Sequence, residues 1–341
     1  MTIEQKRVFS RREKVFSRTR YFLTKLDAQS FWHIPVLFEE YIEGLGIRSD
    51  KPNIIVDCTL WLGGHATGII KKLHPGDTFI GFDLDEDNLR ESRRAILEQV
   101  GVEAQNKNIT LHFLHANFAH LKEQLAILGI THITGICYDL GVSSAHFDDG
   151  ERWFSYRTEA RLDMRFDRTG DTLSAFHLVN YTGEKELIEI FRKYGEEGRA
   201  RFIAEAIVRE RKIKLIETTK ELADIIEKTS YDQKSTLRIF QAIRIAVNDE
   251  FGSIETSLRQ AVELLISWGR CAVITFHSLE DRLVKQTFAP YLHSERDEFT
   301  GRDLKPAILK KVTKKPIEPT ETEIKQNKRS RSAKLRIVEK I

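Results

Sequence analysis

Cysteine is scarce in this sequence, and its three residues do not lie at the spacing of a metal site. Cys58, Cys137 and Cys271 each belong to a separate apolar run, so we expect buried, reduced thiols. This excludes a disulfide-rich secreted module and a zinc ribbon, and no metal site is predicted. Reduced thiols are typical of a cytoplasmic protein.

Long hydrophobic runs are also missing. No apolar stretch approaches the roughly 18 residues of a membrane span, so no membrane partner is expected. The Arg-rich N-terminus lacks the continuous apolar segment of a secretory signal. With 341 residues, of which 41% are hydrophobic and 31% charged, the chain has enough apolar material for one large domain or two ordinary ones.

The net charge of +3 conceals an uneven distribution. Residues 1–30, interpreted as a basic N-terminal arm, and residues 301–341 are strongly basic, whereas residues 31–300 are acidic. Basic ends on an acidic body indicate a polyanionic partner or solubilising tails, and the charge alone does not choose between them.

Short apolar runs alternate with amphipathic helical segments from about residue 51. Strands are predicted at residues 53–60, 78–84, 109–114, 133–140 and 271–276, with closing strands at 308–313 and 334–338. This rhythm is typical of a parallel sheet with helices on both faces, a Rossmann-like α/β fold. Between about 145 and 245 it gives way to helices alone. We therefore predict a core of residues 31–144 and 246–341 and an inserted helical substrate-recognition subdomain at 145–245.

Polar and glycine residues follow the predicted strands, where ligands of such sheets bind. Gly63 and Gly64 follow the first strand, Asp83 ends the second, and Asp139 ends the fourth. Phe118 follows the third strand, where its ring is placed to face an adenine, and His277 follows the fifth. Structural roles stay open: the glycines as a tight turn, Asp83 as a helix cap and Phe118 as core.

Two adenosine cofactors suit this arrangement. A nicotinamide dinucleotide needs G-x-G-x-x-G to seat its pyrophosphate, and residues 60–68, LWLGGHATG, lack that pattern. S-adenosyl-L-methionine needs a glycine-containing turn and an acid for the ribose hydroxyls. The sequence favours S-adenosyl-L-methionine and disfavours an oxidoreductase.

Eight longer motifs resemble one family, the 16S rRNA (cytosine-N4)-methyltransferases, over roughly residues 33–341. They are HIPV at 33–36, GGH at 63–65, DLGVSS at 139–144, LDMR at 162–165, YGEE at 194–197, QAIRIAVN at 241–248, FHSLEDR at 276–282 and RSRSAKL at 329–335. The resemblance implies a class I methyltransferase with an inserted all-helical subdomain. It implies methylation of a cytidine N4 in the decoding region of 16S rRNA, with the small ribosomal subunit as the expected partner; whether naked RNA or the assembled subunit is the substrate stays open.

The resemblance also implies a set of cofactor-binding residues. It adds His65 and His146 to those at the strand ends, and the full set is Gly63, Gly64, His65, Asp83, Phe118, Asp139 and His146. Asp139 and His277 are the two candidates for accepting the N4 proton, since the usual Asp/Asn/Ser-Pro-Pro-aromatic turn is absent after strand four. Whether the chain forms a homodimer stays open.

The sequence departs from the family at Trp61, where glycine is usual. An indole in this turn is expected to need a negative φ and a ring that points away from the ligand, covered by residues 33–36. We therefore predict that Trp61 packs as a lid or wall and does not fill the methionine pocket. An alternative function follows if the indole spoils the site: a non-catalytic ribosome-assembly protein that binds RNA.

A loop rich in arginine and aromatic residues offers phosphate contacts and base stacking. Its acidic neighbours favour internal salt bridges instead. The residues concerned are Trp153, Phe154, Tyr156, Arg157, Arg161, Arg165 and Arg168.

Overall fold

The computed structural model describes residues 35–141, 159–169, 172–296 and 303–341, all within a unit that spans Pro35–Ile341. Its centre is a seven-stranded sheet with the order β3-β2-β1-β4-β5-β9-β8. The strands are β1 Ile54–Asp57, β2 Thr78–Asp83, β3 Thr110–His115, β4 Ile133–Asp139, β5 Leu265–Thr275, β8 Leu309–Lys311 and β9 Lys334–Lys340. A separate two-stranded sheet pairs β6 Glu295–Arg296 with β7 Asp303–Lys305.

The first five strands are parallel, and β9 runs antiparallel beside β5. The predicted Rossmann-like α/β fold is confirmed, and so are both closing strands. The fifth strand begins six residues earlier than predicted, at Leu265. It bulges opposite β4, because Ile133 pairs with Leu265 while Gly135 pairs with Arg270.

Twelve α-helices occur in the described residues. They are α1 Phe38–Gly44, α2 Gly64–Lys72, α3 Glu86–Asn106, α4 Leu121–Ile127, α5 Ala175–Tyr181, α6 Glu184–Gly195, α7 Ala200–Glu210, α8 Thr219–Ser230, α9 Gln233–Asn248, α10 Glu250–Leu264, α11 Ser278–Leu292 and α12 Glu321–Gln326. None of the described helices is long and apolar enough to cross a membrane.

Alternating side chains of the central strands supply two cores, one on each face of the sheet. Ile55 and Cys137 belong to the core that includes α1, α2 and α3. Val56, Ile136 and Tyr138 belong to the opposite core, which includes α4, α10 and α11. Because helices cover both faces of the sheet, its central strands are continuous apolar segments in the sequence. For this reason their positions could be predicted well from the sequence.

The helices between β4 and β5 build a third core from residues 162–247 alone. Thr218 and Glu221 form the predicted capping box at the start of α8, and an isolated bridge joins Arg161 to Thr218. Helix α9 runs to Asn248, so the predicted boundary at 245 falls inside it. The division into a core and a substrate-recognition subdomain stays a prediction.

Candidate functional site

A pocket lies at the carboxyl ends of the first four strands, where the strand order reverses between β1 and β4. Two of the predicted residues, Asp83 and Phe118, line it directly. The other lining residues follow β1, β2, β3 and β4 or lie at Phe166, at the end of α9 and at the start of α10: Cys58, Thr59, Trp61, Leu84, Asp85, Asn117, Leu140, Gly141, Phe166, Asn248, Glu250, Ser253 and Ile254.

The glycine turn after β1 is shaped by packing against the protein itself. A Cβ on Gly63, whose φ is +78°, would lie 2.8 Å from Cγ1 of Ile96. A Cβ on Gly64 would lie 2.6 Å from Cγ of Pro35. Both residues must therefore be small for α2 to pack where it does, and neither belongs to the pocket lining.

Trp61 does not adopt the expected conformation. Its φ is +47°, whereas the sequence predicted a negative value, and the residue is part of the pocket lining, which agrees with the expected position as a wall. The indole Nε1–H donates to the carbonyl oxygen of Asp139 at 2.7 Å. A main-chain bond from the Gly63 N–H to the Leu60 carbonyl oxygen closes the turn, and the Trp61 N–H donates to Asp83, so backbone contacts hold this conformation against the preference of a bulky side chain for negative φ.

Asp83 closes β2 and is only 6% exposed. Its carboxylate accepts the backbone N–H of Trp61 at 3.1 Å and that of Asp85 at 2.9 Å. Burial outweighs these two bonds and raises the pKa of Asp83 to about 8. The cap of α3 is made by Asp85, whose side chain accepts from the N–H groups of Asp87 and Asn88, so Asp83 is not the helix cap.

Asp139 and His65 form a buried pair beneath the turn. The His65 Nδ1 lies 3.4 Å from Oδ2 of Asp139, and its Nε2 lies 3.0 Å from the Val36 carbonyl oxygen. Burial disfavours the charged imidazole, but the carboxylates of Asp139 and Asp57 outweigh it and raise the pKa of His65. In the sequence, only the family resemblance pointed to His65 as a cofactor-binding residue. The structure places its ring beside the carboxylate of Asp139.

Two carboxylate oxygens in this region, Oδ1 of Asp139 and Oδ2 of Asp57, have no hydrogen-bond partner among the described residues. Burial raises the pKa of Asp57 to about 6. Asp57 was not among the predicted site residues, although it ends the first strand as Asp139 ends the fourth. Two buried aspartates near one imidazole, Asp57 and Asp139, suit a cationic ligand group better than a phosphate.

Phe118 begins the 3-10 turn after β3, and its ring meets Tyr138 edge-on at 5.9 Å. The lining also includes Phe166 and Asn248, which the sequence did not point to. Asn248 accepts the backbone N–H of Phe166 at 2.9 Å and donates to the Met164 carbonyl oxygen at 2.8 Å. Both lie in or beside motifs that the family resemblance quoted, which was the one available signal.

His277 caps α11 and lies outside the pocket lining. Its Nδ1 accepts the Glu280 N–H at 3.3 Å, and its Nε2 lies 2.9 Å from Oε1 of Glu280. Both ring nitrogens therefore face Glu280, a residue that is 1% exposed. The catalytic role predicted for His277 stays a prediction, and the geometry shows a structural role for the same ring.

The arginine-rich loop is described only in part. Arg165 is paired with Asp163 at 2.7 Å, as the internal salt-bridge interpretation expected. His146, Trp153, Phe154, Tyr156 and Arg157 lie outside the described residues.

The model of the MraW methylase family matches residues 30–341. A relative in Lactobacillus johnsonii, named ribosomal RNA small subunit methyltransferase H, is 43% identical over 91% of this chain and 99% of its own length. A relative of the same name in Clostridioides difficile is 42% identical over the same share of this chain and 99% of its own.

Proposed function

Because the chain belongs to the MraW methylase family, we propose that it transfers a methyl group from S-adenosyl-L-methionine to N4 of a cytidine in 16S rRNA. The observation that carries the proposal is the nearly full-length similarity to ribosomal RNA small subunit methyltransferase H. The pocket supports it independently, since it lies at the switch point of the sheet and holds an acid where a ribose would bind.

The residues of the pocket fit the proposed cofactor. Asp83 is proposed to accept the ribose hydroxyls, and Phe118 to contact the adenine. Asp57 and Asp139 lie outside the pocket lining, directly before the lining residues Cys58 and Leu140, and their unpartnered carboxylate oxygens are the kind of acceptor that the ammonium group of the methionine moiety needs. Gly63 and Gly64 set the turn, His65 orients Asp139, and His146 is proposed on resemblance alone.

When bound, S-adenosyl-L-methionine supplies an electrophilic methyl group. The chain's own residues would hold the cytosine in line with it, which is mainly a positioning effect. They must also accept a proton from N4. Asp139 is proposed as the better of the two acceptors, because the two residues that follow it, Leu140 and Gly141, line the pocket, whereas His277 caps α11 and lies outside the lining.

The RNA is proposed to reach the pocket along the helical wall that carries Phe166 and Asn248, with the target base unstacked. The basic residues 1–30 and 325–336 are proposed to add phosphate contacts. The substrate is proposed to be the assembled small subunit in the cytoplasm.

The decisive experiment is methyl transfer to small subunits from a bacterial strain that lacks this modification. Radiolabelled S-adenosyl-L-methionine reports transfer, and mass spectrometry of digested nucleosides identifies N4-methylcytidine. Naked 16S rRNA serves as the second substrate. Asp83→Ala is the inactive control, and the exposed neighbour Asp87→Ala is the matched active control.

Formation of N4-methylcytidine by the wild type and the Asp87 variant, but not by the Asp83 variant, is the expected result. Transfer to another atom of cytosine would contradict the proposed N4 specificity. RNA binding without cofactor binding would instead favour the non-catalytic assembly protein.

A further inference from the structure

Both tryptophans in the described part of the chain stand at backbone positions that favour glycine. Trp61 has a φ of +47° and Trp268 a φ of +69°. Only eight described non-glycine residues have a positive φ, and the two tryptophans are among them. For a bulky residue this conformation is an outlier, whereas glycine adopts it freely.

The turn at residues 60–63 is of a kind whose first central residue is normally glycine. The Gly63 N–H bonds the Leu60 carbonyl at 2.7 Å, so Trp61 and Leu62 are the central residues. Positive φ at the first of them alone is the pattern of a type II′ turn.

Trp268 lies in the bulge at the start of β5, where extra residues are accommodated opposite β4. A left-handed residue in such a bulge is typically glycine. The backbone is close-packed here, because a Cβ on the next residue, Gly269, would lie 2.9 Å from the Ile266 carbonyl oxygen. The indole is tolerated at 268 because it reaches the surface, under Arg48 and Lys51 at 5.0 and 5.2 Å.

At position 61 the side chain also conflicts with the proposed cofactor. The indole lines the pocket, and its N–H occupies the Asp139 carbonyl oxygen, beside the acceptors proposed for the ammonium group. The conflict between the indole and the cofactor rests on the proposed function, whereas the unfavourable backbone conformation at positions 61 and 268 does not.

We infer that the protein made in its own cell carries glycine at positions 61 and 268, through a codon that the host reads as glycine. The codon UGA is read as tryptophan in some genetic codes and as glycine in others, so one reassigned codon would account for both positions. In the protein made by its own organism, the turn at residues 60–63 would then carry no indole.

Peptide mass spectrometry of the protein purified from its own organism tests the inference directly. Tryptic cleavage releases residues 260–270 as one peptide and residues 49–71 as another, and the mass of each distinguishes glycine from tryptophan. Glycine masses at both positions are expected. A tryptophan mass at either position overturns the inference.

A recombinant set tests the conflict at the pocket. We expect Trp61→Gly to bind S-adenosyl-L-methionine roughly tenfold or more tightly than the chain with tryptophan. Trp268→Gly, which lies outside the pocket lining, is the matched control and is expected to leave the affinity unchanged. If the Trp61→Gly variant and the chain with tryptophan bind S-adenosyl-L-methionine equally well, the inference that the indole conflicts with the cofactor is overturned. Absence of binding by both forms would refute the proposed cofactor, while the peptide masses would still decide the identity of the residues.

Discussion

Binding of the adenosine moiety should depend on pH through Asp83. Burial raises the pKa of this carboxyl to about 8, so without ligand it is largely protonated at neutral pH. A carboxylate that accepts two ribose hydroxyls must be ionised. Ligand binding should therefore release a proton from Asp83 at any pH below about 8.

The size of the effect follows from the pKa. At one pH unit below the pKa of Asp83, ionising its carboxyl group costs about 1.4 kcal/mol, and at two pH units below it the cost is about 2.7 kcal/mol. The affinity should accordingly fall close to tenfold for each pH unit between about 8 and about 6, and should level off above about 9.

Calorimetry with 5′-methylthioadenosine is the suitable assay, because this ligand has the ribose and adenine but lacks the titrating amino group of the full cofactor. Asp83→Asn should bind about 2 kcal/mol more weakly at about pH 9 and should show no pH dependence. Asp87→Asn, a change at an exposed carboxylate, should behave as the wild type does. A wild-type affinity that does not vary with pH would refute the reasoning, as would an Asp83→Asn variant that binds equally well.

Three further predictions concern stability, measured by denaturant unfolding. Gly63→Ala should destabilise the protein by about 1–3 kcal/mol, because it combines a φ of +78° with a contact to Ile96, whereas Gly76→Ala has the same φ penalty without a nearby atom and should cost less. Arg244→Ala should cost about 3–5 kcal/mol, because it leaves Glu250 buried without the two bonds at 2.7 and 3.0 Å that it now makes, and an effect under about 1 kcal/mol would contradict this. His65→Gln should lower the free energy of unfolding more at acidic than at alkaline pH. The raised pKa of His65 gives a stabilisation that is fully present below about pH 6.5 and is lost as the pH rises through the folded-state pKa. An equal loss of stability at acidic and alkaline pH would be evidence against the His65–Asp139 pairing.

Most of the sheet could be predicted from the sequence, because strands covered on both faces are short apolar runs with polar residues at their ends. Asp83 and Phe118 were placed at the pocket for this reason, and the structure has both in its lining. The same reasoning located the fifth strand but not its start. Residues 265–270 form a bulge, and a bulge depends on the partner strand instead of on local composition.

The wall formed by Phe166 and Asn248 was beyond local reasoning. These two residues are 82 positions apart in sequence and meet through one hydrogen bond between a side chain and the backbone. Neither lies at the end of a strand, so the rule that found Asp83 does not apply to them. The conformation of Trp61 was also missed, because the sequence argument took the preference of a bulky side chain for negative φ as decisive, whereas this residue has a φ of +47°.

The buried charges explain why this pocket should stabilise the protein when it is filled. Asp57 and Asp83 have raised pKa values because burial removes water from them, and Asp57 retains a carboxylate oxygen without a partner among the described residues. Between the ordinary pKa of an aspartate and the raised value, the folded state binds more protons than the unfolded state, so stability falls as the pH rises through this range. A cationic ligand group near Asp57 would favour the ionised carboxylate and lower its pKa. Occupation of the site therefore relieves a cost of folding, and the gain in stability should be larger at about pH 8 than at about pH 5.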